Sequence, residues 1–367
     1  MKTAVLVSPT GAPGGAERAL LALARHLPGH GWAPRIILLQ RGPFEKWLSD
    51  ASLDFEVLPM TRTRHIHRTA VVIERLRRAI RGGSAVVANQ SKGQAIAGAA
   101  AALSRTPCVW WQQGIPSRTA IELTAALWPA AAVVCSAQDA ALAQKSLTPK
   151  RRVEVINLGV DIETVRSRRG SGAELKKRLG WPGPVVGMVA RLQPWKGQQL
   201  FLQAASIVAG SRPDVQFVVV GGAVLGWEGD YPEQLRRQAT ELGLAERVYF
   251  SGHQEDPYPW ADAFDVAVTA SVGEPFGLVT VEAMALAKPV VGVDSAGTAE
   301  IIEDGVSGLL VPPADPDAMA AAILDLLEDP ALQERIATGA AARAERFSDA
   351  EMARSFAALL DDVRRSR

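Results

Sequence analysis

Arg191 and Lys196 stand five positions apart in Arg-Leu-Gln-Pro-Trp-Lys-Gly, directly after the apolar run 185–190 and before a segment with helical spacing. A guanidinium grips phosphate oxygens two at a time and an ammonium acts as a point charge, so the pair suits a diphosphate. Spacing alone equally allows a solvated loop with two incidental cations. Two carboxylates follow in Glu274-Pro-Phe-Gly-Leu-Val-Thr-Val-Glu282. A helix opening near Gly277 would put the amides of Phe276, Gly277 and Leu278 at its positive end, where free N–H groups and the dipole stabilise phosphate. Glu274 then lies just before the helix and Glu282 about one turn inside it. On a continuous helix eight positions fall roughly 80° apart, close enough to line one cleft. The plain alternative is one acid that favours the dipole and one surface acid.

Weaker signals lie in the first half. The turn Pro9-Thr-Gly-Ala-Pro-Gly-Gly-Ala-Glu17 carries Gly11, Gly14 and Gly15 between an apolar run and a helical pattern. It could bring amides close to an anion, but it is neither the GxGxxG fingerprint nor a P-loop, and an ordinary strand-to-helix turn explains it as well. Gly221-Gly222 ends a later apolar run in the same way. His65 and His67 lie in a basic stretch, 62–81, with seven Arg against Glu74 alone. Such a stretch could meet an anionic acceptor or a lipid surface; the alternative is a solvated helix face. His26, His30 and His253 lack metal-ligand spacing, and no Asp-x-Asp pair stands at a strand end, so no metal is expected.

The elements that must position these groups alternate. Strands are expected at 3–8, 35–39, 85–89, 108–111 and 132–135, then at 185–190, 216–220, 248–251, 266–269, 289–293 and 308–311. Helical patterns are expected at 16–27, 70–81 and 94–103, then at 197–208, 231–242, 277–287, 298–303 and 316–327. Continuous apolar strands separated by helices imply parallel sheets covered on both faces. The pattern breaks at 161–183, a polar run with Arg166, Arg168, Arg169, Gly170 and Gly172 followed by Pro182 and Pro184, expected as a flexible joint. This divides the chain into an N-terminal domain at 1–165, a second at 182–345, and a last helix at 346–367 expected to pack back towards the first. Two such halves would leave a cleft, with ligands outside the carboxyl ends of the strands.

Bulk composition agrees with packed domains: of 367 residues 48% are apolar and 22% charged, too apolar for a disordered chain. A net charge of +1 argues against a general nucleic-acid binder. Cys108 and Cys135 form no disulfide framework, which suggests a reducing cytoplasm. The first apolar run meets Pro9 too soon to be a signal peptide, and no run reaches the ~18 apolar residues of a membrane span.

Taken together and in this order, Arg191…Lys196-Gly197, Gly221-Gly222 and Glu274…Glu282 resemble the retaining GT-B glycosyltransferases of family 4. Asn157-Leu-Gly-Val-Asp161 is similar to the family's Asn-Gly-Val-Asp joint with Leu158 added, and Asp304-Gly-Val-Ser-Gly-Leu-Leu-Val311 to its segment after the donor site. The resemblance implies two Rossmann-like domains facing across a cleft and a sugar transferase (EC 2.4) using a UDP, GDP or ADP sugar as co-substrate, without cofactor. It implies that Arg191 and Lys196 hold the diphosphate, that Glu282 accepts from the ribose hydroxyls, and that Glu274 contacts the transferred sugar. Phe276, Gly277 and Leu278 would grip by their amides, Gln254 would lie beside the base near Gly222, and Gly14 and Gly15 would close over the phosphates. The acceptor would be a glycan, a lipid-linked or a small molecule, met in the cytoplasm or peripherally at the inner membrane face.

One position departs from the family. Val109-Trp-Trp-Gln-Gln-Gly carries Gln113 where the family commonly has His before the Gly, and an amide takes no proton at neutral pH. Gln113 is then either a tolerated substitution in a working site or the mark of an impaired one. Because an amide has no proton to exchange, Gln113→His is expected to raise kcat with little change in nucleotide affinity; an unchanged or lower kcat would make Gln113 the working residue. A nucleotide-sugar 2-epimerase and a non-catalytic nucleotide-sugar sensor share the fold and remain alternatives.

Overall fold

The computed structural model describes residues 2–60, 66–222 and 229–366. The chain divides into two compact units, Met1–Val160 with Phe347–Arg367, and Asp161–Arg346. In the first, seven strands form one sheet: β1 (Lys2–Ser8), β2 (Trp32–Leu38), β3 (Phe55–Val57), β4 (Ala85–Asn89), β5 (Cys108–Gln112), β6 (Ala132–Cys135) and β7 (Val153–Val155). In the second there are six: β8 (Val185–Val189), β9 (Gln216–Val220), β10 (Val248–Gly252), β11 (Val266–Thr269), β12 (Val290–Val293) and β13 (Leu309–Val311). Every pairing is parallel. The strands at the centre of each sheet are the most buried, β4, β5, β6, β11 and β12 completely, as continuous apolar runs require.

Strand order places the sites. The first sheet runs β3-β2-β1-β4-β5-β6-β7 and the second β10-β9-β8-β11-β12-β13. Each sheet grows outwards from its first strand, then resumes on that strand's other side. The connections leaving β1 and β4, and those leaving β8 and β11, therefore run to opposite faces. A crevice opens at the carboxyl ends between them.

Packing follows from the same pattern. In the second unit the helices Gln198–Ser211 and Pro316–Glu328 cover a core with Phe201 and Phe217 in edge contact, ring centroids 6.3 Å apart. In the first unit the helix Asp349–Arg365 lies with the residues that open the chain. Phe356 packs on Trp111 with centroids 4.5 Å apart, and Asp361 accepts from Trp32 Nε1 at 3.1 Å and pairs with Lys2. The first unit thus reclaims the chain terminus from Phe347 onward.

Three local features differ from the sequence reading. The unit break falls at Val160/Asp161 and not after residue 165, and the polar run expected as a joint is folded into the second unit. It forms the helices Ile162–Arg166, capped by Asp161 accepting from Thr164 N at 2.9 Å, and Ser171–Leu179. The latter buries Gly172 and Leu175, and Gly172 N donates to Asp262 Oδ2 at 2.8 Å. So narrow a buried stripe leaves most of the helix charged, which is why it reads as a linker. The strands β3 and β7 and the helices Phe44–Asp50, Ala120–Leu127, Gln138–Leu147, Tyr258–Asp262 and Pro330–Ala344 were also outside the expected set. His65 lies outside the described residues, as does the side chain of His67; the helix they were expected to join begins at Ile66.

Cys108 and Cys135 are free and buried, and burial pushes both thiols from 9.0 up to about 12. The native thiols should therefore stay unreactive towards an aromatic disulfide reagent at pH 8 and react only on unfolding. Because their folded values are raised, the stability they contribute is complete below pH 9.0 and declines as the pH climbs towards about 12. Rapid labelling of the folded chain at pH 8 would contradict this burial.

Candidate active site

The crevice of the second sheet gathers the strongest sequence candidates. After β8 the chain makes a single turn of 3-10 helix, Pro194–Lys196, and enters the helix Gln198–Ser211 through Gly197. Gly197 has φ +76°, and a Cβ there would strike the carbonyl of Ala270, just past β11. Val272 N donates to Trp195 O at 3.1 Å, fastening the turn to the neighbouring strand end. Gly221, φ +138°, presses as closely on the carbonyl of Ala190. Side chains would hold these strand ends apart.

Lys196 is thereby brought to Glu274. Its Nζ donates to Glu274 Oε2 at 2.6 Å and stands 4.1 Å from the centroid of Trp195. The two side chains are only 12% and 9% exposed. Charges this buried gain little net stability over apolar residues of equal volume, so the pair is chiefly a device that holds both groups at the crevice. Arg191 is exposed, with no acidic partner among the described residues, so its guanidinium is open to an anion. Its carbonyl accepts from Gln198 Nε2 at 2.7 Å, and Gln198 Oε1 accepts from Tyr231 Oη at 3.2 Å.

Glu274 reaches this place from a turn and not from a helix. The helix is Leu278–Ala285, preceded by Gly277 at φ +109°, so Glu282 arrives separately, from its second turn. The Glu274 carbonyl accepts from Gly297 N at 2.9 Å, and Gly273 N donates to Ser295 Oγ at 3.1 Å. The turn is therefore tied to the loop after β12. Phe276 is 1% exposed, and its backbone packs closely against Gly297 in the loop after β12. Buried Glu282 accepts from Tyr258 Oη at 3.3 Å. Tyr258 and Ser295 escaped the sequence reading because neither carries a charge or sits in a glycine turn. Gly222 adjoins His253, and Gln254 Nε2 donates back to Ser251 O at 2.8 Å, so both lie at the carboxyl ends of β9 and β10.

In the first unit the switch point between β1 and β4 carries different chemistry. Gly11 packs against the backbone of residues 40–42, so its missing side chain makes room for protein and not for an anion. The helix Gly15–His26 begins after Gly14, and Glu17 in its first turn is 3% exposed with Oε2 3.0 Å from where a Cβ of Gly14 would stand. Gln90, in the left-handed region at φ +62°, donates to Glu17 Oε1 at 3.1 Å. Gln113 Nε2 donates to Asn89 Oδ1 at 2.7 Å and to Ala16 O at 3.3 Å. A carbonyl can only accept, so Ala16 O fixes which way the Gln113 amide faces. Gln113 Oε1 and Asn89 Nδ2 are then buried without partners. An unmet buried group costs about 1–3 kcal/mol, so each of these atoms calls for a partner that the chain itself does not supply. The sequence reading found Gln113 but missed Glu17, Asn89 and Gln90. Acid in a first helical turn reads as a cap, and strand-end amides give no signal.

The chain is similar to known proteins in both halves. Residues 173–343 match the family model "Glycosyl transferases group 1", and residues 13–164 match "Glycosyltransferase Family 4". D-inositol 3-phosphate glycosyltransferases of Thermomonospora curvata and Acidothermus cellulolyticus are 36% identical over 204 residues and 39% over 208. These alignments cover 52% and 53% of this chain and 46% and 45% of those proteins, so the chain spans about half the length of the curated relatives it matches. Among solved structures, Anabaena HepE in complex with UDP-glucose superimposes with a TM-score of 0.88 at 28% identity, over 99% of this chain and 100% of that one. HepE with UDP and glucose gives 0.87 at 29% over 98% and 100%. The two parallel sheets, the order of the motifs and both family matches agree: the chain belongs to the GT-B glycosyltransferases of family 4, group 1.

Proposed function

We propose that this chain moves a sugar from a nucleoside diphosphate to an acceptor hydroxyl with retention at the anomeric carbon, and that UDP is the carrier. The observation that carries the reading is the buried Lys196–Glu274 pair at the β8/β11 switch point beside exposed Arg191. One crevice thus offers cations for a diphosphate and a carboxylate for sugar hydroxyls. HepE, matched along its whole length, has been seen with UDP and UDP-glucose, which supports the choice of carrier. The curated relatives' acceptor, an inositol phosphate, supports a small polyol or glycan as the class of acceptor.

In this reading the C1–oxygen bond of the donor breaks and its electrons pass to the β-phosphate. Arg191, Lys196 and the amides of Phe276, Gly277 and Leu278 stabilise that growing charge without reorganising. The acceptor oxygen bonds to C1 from the same face, and its proton passes to the departing phosphate oxygen. Glu282, steadied by Tyr258, takes the ribose hydroxyls, and Gln254 and Gly222 lie by the base. The cations and amides carry the charge, so the reading assigns no metal or cofactor. Among the described residues no helix is long and apolar enough to cross a membrane. A cytoplasmic enzyme that meets its acceptor in solution or peripherally at a membrane surface fits this proposal.

Arg191→Ala and Lys196→Ala should each lower turnover about a hundredfold, the scale of losing one charge stabiliser, about 3 kcal/mol. Steady-state release of nucleoside diphosphate measures this, and near-normal rates in both would remove the donor assignment. Glu282→Ala should raise the donor KM with kcat little changed, whereas Glu274→Ala should mainly lower kcat, because it also releases Lys196. Effects confined to KM in both variants would refute the role given to Glu274. Contrary to the expectation from sequence, Gln113→His should lower kcat: both hydrogens of the Gln113 amide nitrogen are engaged, and an imidazole cannot reproduce that two-donor nitrogen. A faster His variant would instead show that the amide impairs the site.

A further inference from the structure

The second unit holds a surface hollow of about 380 Å³, within the roughly 300–1,000 Å³ of small-molecule sites. It lies at the start of the helix Gln198–Ser211, beside the turn Pro194–Lys196 and the chain that leaves β11. Buried Leu200 and Ala270 give it an apolar lining, and Trp195 and Val272 border it at 38% and 49% exposed. Among the described residues none that lines it is charged, although Lys196 adjoins Trp195 in the chain. The hollow therefore offers nothing to hold a phosphate, a carboxylate or a cation.

Its polar groups are amides. Gln238 is already spent, since its Nε2 donates to Gln199 O at 3.2 Å and its Oε1 is closed off from solvent. Gln199 and Gln203 are exposed, and neither side chain has a partner among the described residues. They stand one turn apart on one helix face. Each offers two donors and an acceptor, the set that neighbouring hydroxyls engage.

Trp195 adds an aromatic surface that is fixed while exposed. Val272 N donates to its carbonyl at 3.1 Å, and its Nε1 donates to Gln193 Oε1 at 3.1 Å. The ammonium of Lys196 occupies one face of the ring, 4.1 Å from the centroid, which leaves the opposite face for a ligand. The C–H bonds on one side of a pyranose are slightly positive and settle on the negative face of an aromatic ring. An aromatic platform beside two free amides, with no charge, fits a neutral sugar and neither an ion nor an alkyl chain.

We infer that this hollow binds a neutral pyranose, with Trp195 as its platform and Gln199 and Gln203 as its hydroxyl partners. The site lies outside the transfer reaction itself. Its sugar is either a remote residue of a glycan acceptor or a free saccharide, and the Trp195 ring puts it one side chain away from Lys196.

The indole N–H resonance of Trp195 in the nitrogen-15-labelled full chain, assigned with Trp195→Phe, reports binding directly. The probes are methyl β-glucoside, methyl β-galactoside and methyl α-mannoside, with glucose 6-phosphate as the charged comparison. At least one neutral probe should shift the resonance saturably, with a dissociation constant on the order of millimolar. Gln199→Ala combined with Gln203→Ala should bind it roughly tenfold more weakly, the worth of two neutral hydrogen bonds. UDP affinity should stay within twofold, which also shows that the double variant is folded. Gln203→Ala alone should fall between the two and serves if the double variant does not fold. Saturating UDP should leave the sugar bound. A raised KM of the double variant for an oligosaccharide acceptor, but not for a monosaccharide, assigns the sugar to the acceptor chain; an unchanged KM for both assigns it to a free saccharide. No shift with any neutral probe, or equal binding by parent and double variant, overturns the inference. Displacement by UDP overturns it in favour of the donor, and tighter binding of glucose 6-phosphate in favour of an anion site. A shift that grows with protein concentration without sugar, together with dimerisation in sedimentation, overturns it in favour of a second copy of the chain. Failure of the parent to bind UDP would count against the transferase reading, while the sugar titration would still decide this one.

Discussion

A parallel sheet that grows in both directions from its first strand has one place where consecutive connections part, and the chemistry of this protein depends on it. At β8 and β11 the chain ends leave to opposite faces, and neither covering helix closes the gap. Groups carried on the two strand ends therefore converge without being buried under a crossover. Lys196 comes from one end and Glu274 from the other, and their 2.6 Å contact is the direct result. The close approach of Gly197 to Ala270 and of Gly221 to Ala190 makes that convergence tight enough for an ion pair.

The same topology occurs twice with different contents. In the second unit the switch point carries cations and a carboxylate beside the N-terminus of the helix Gln198–Ser211. In the first it carries a carboxylate and amides, with Glu17 already set against the helix N-terminus. A shared fold thus yields two environments of different charge preference, and the difference lies in a few side chains at strand ends. Function is set there, and not by the sheets.

Much of this was legible in the sequence, for a physical reason. Strands buried on both faces must be continuously apolar, so β4, β6, β9 and β11 announce their own limits. The edge strands β3, Phe-Glu-Val, and β7, Val-Glu-Val, are half-buried and three residues long, too short for alternation to register. The helix Ser171–Leu179 was hidden by its charged surface, and the unit break moved with it. Among site residues, Arg191, Lys196 and Glu274 could be read from their charge and neighbouring glycines, whereas Glu17 passed as a helix cap. Tyr258, Asn89 and Gln90 could not, because neutral polar residues acquire meaning only from the partners that folding brings to them.

The central claim is that the β8/β11 crevice binds a nucleoside diphosphate through Arg191 and Lys196. A crystal structure of the chain with UDP tests it most directly. The expected result places β-phosphate oxygens within hydrogen-bond distance of the Arg191 guanidinium and Lys196 Nζ, with the ribose hydroxyls at Glu282. A well-ordered UDP bound elsewhere, with the Lys196–Glu274 crevice empty, would contradict the account.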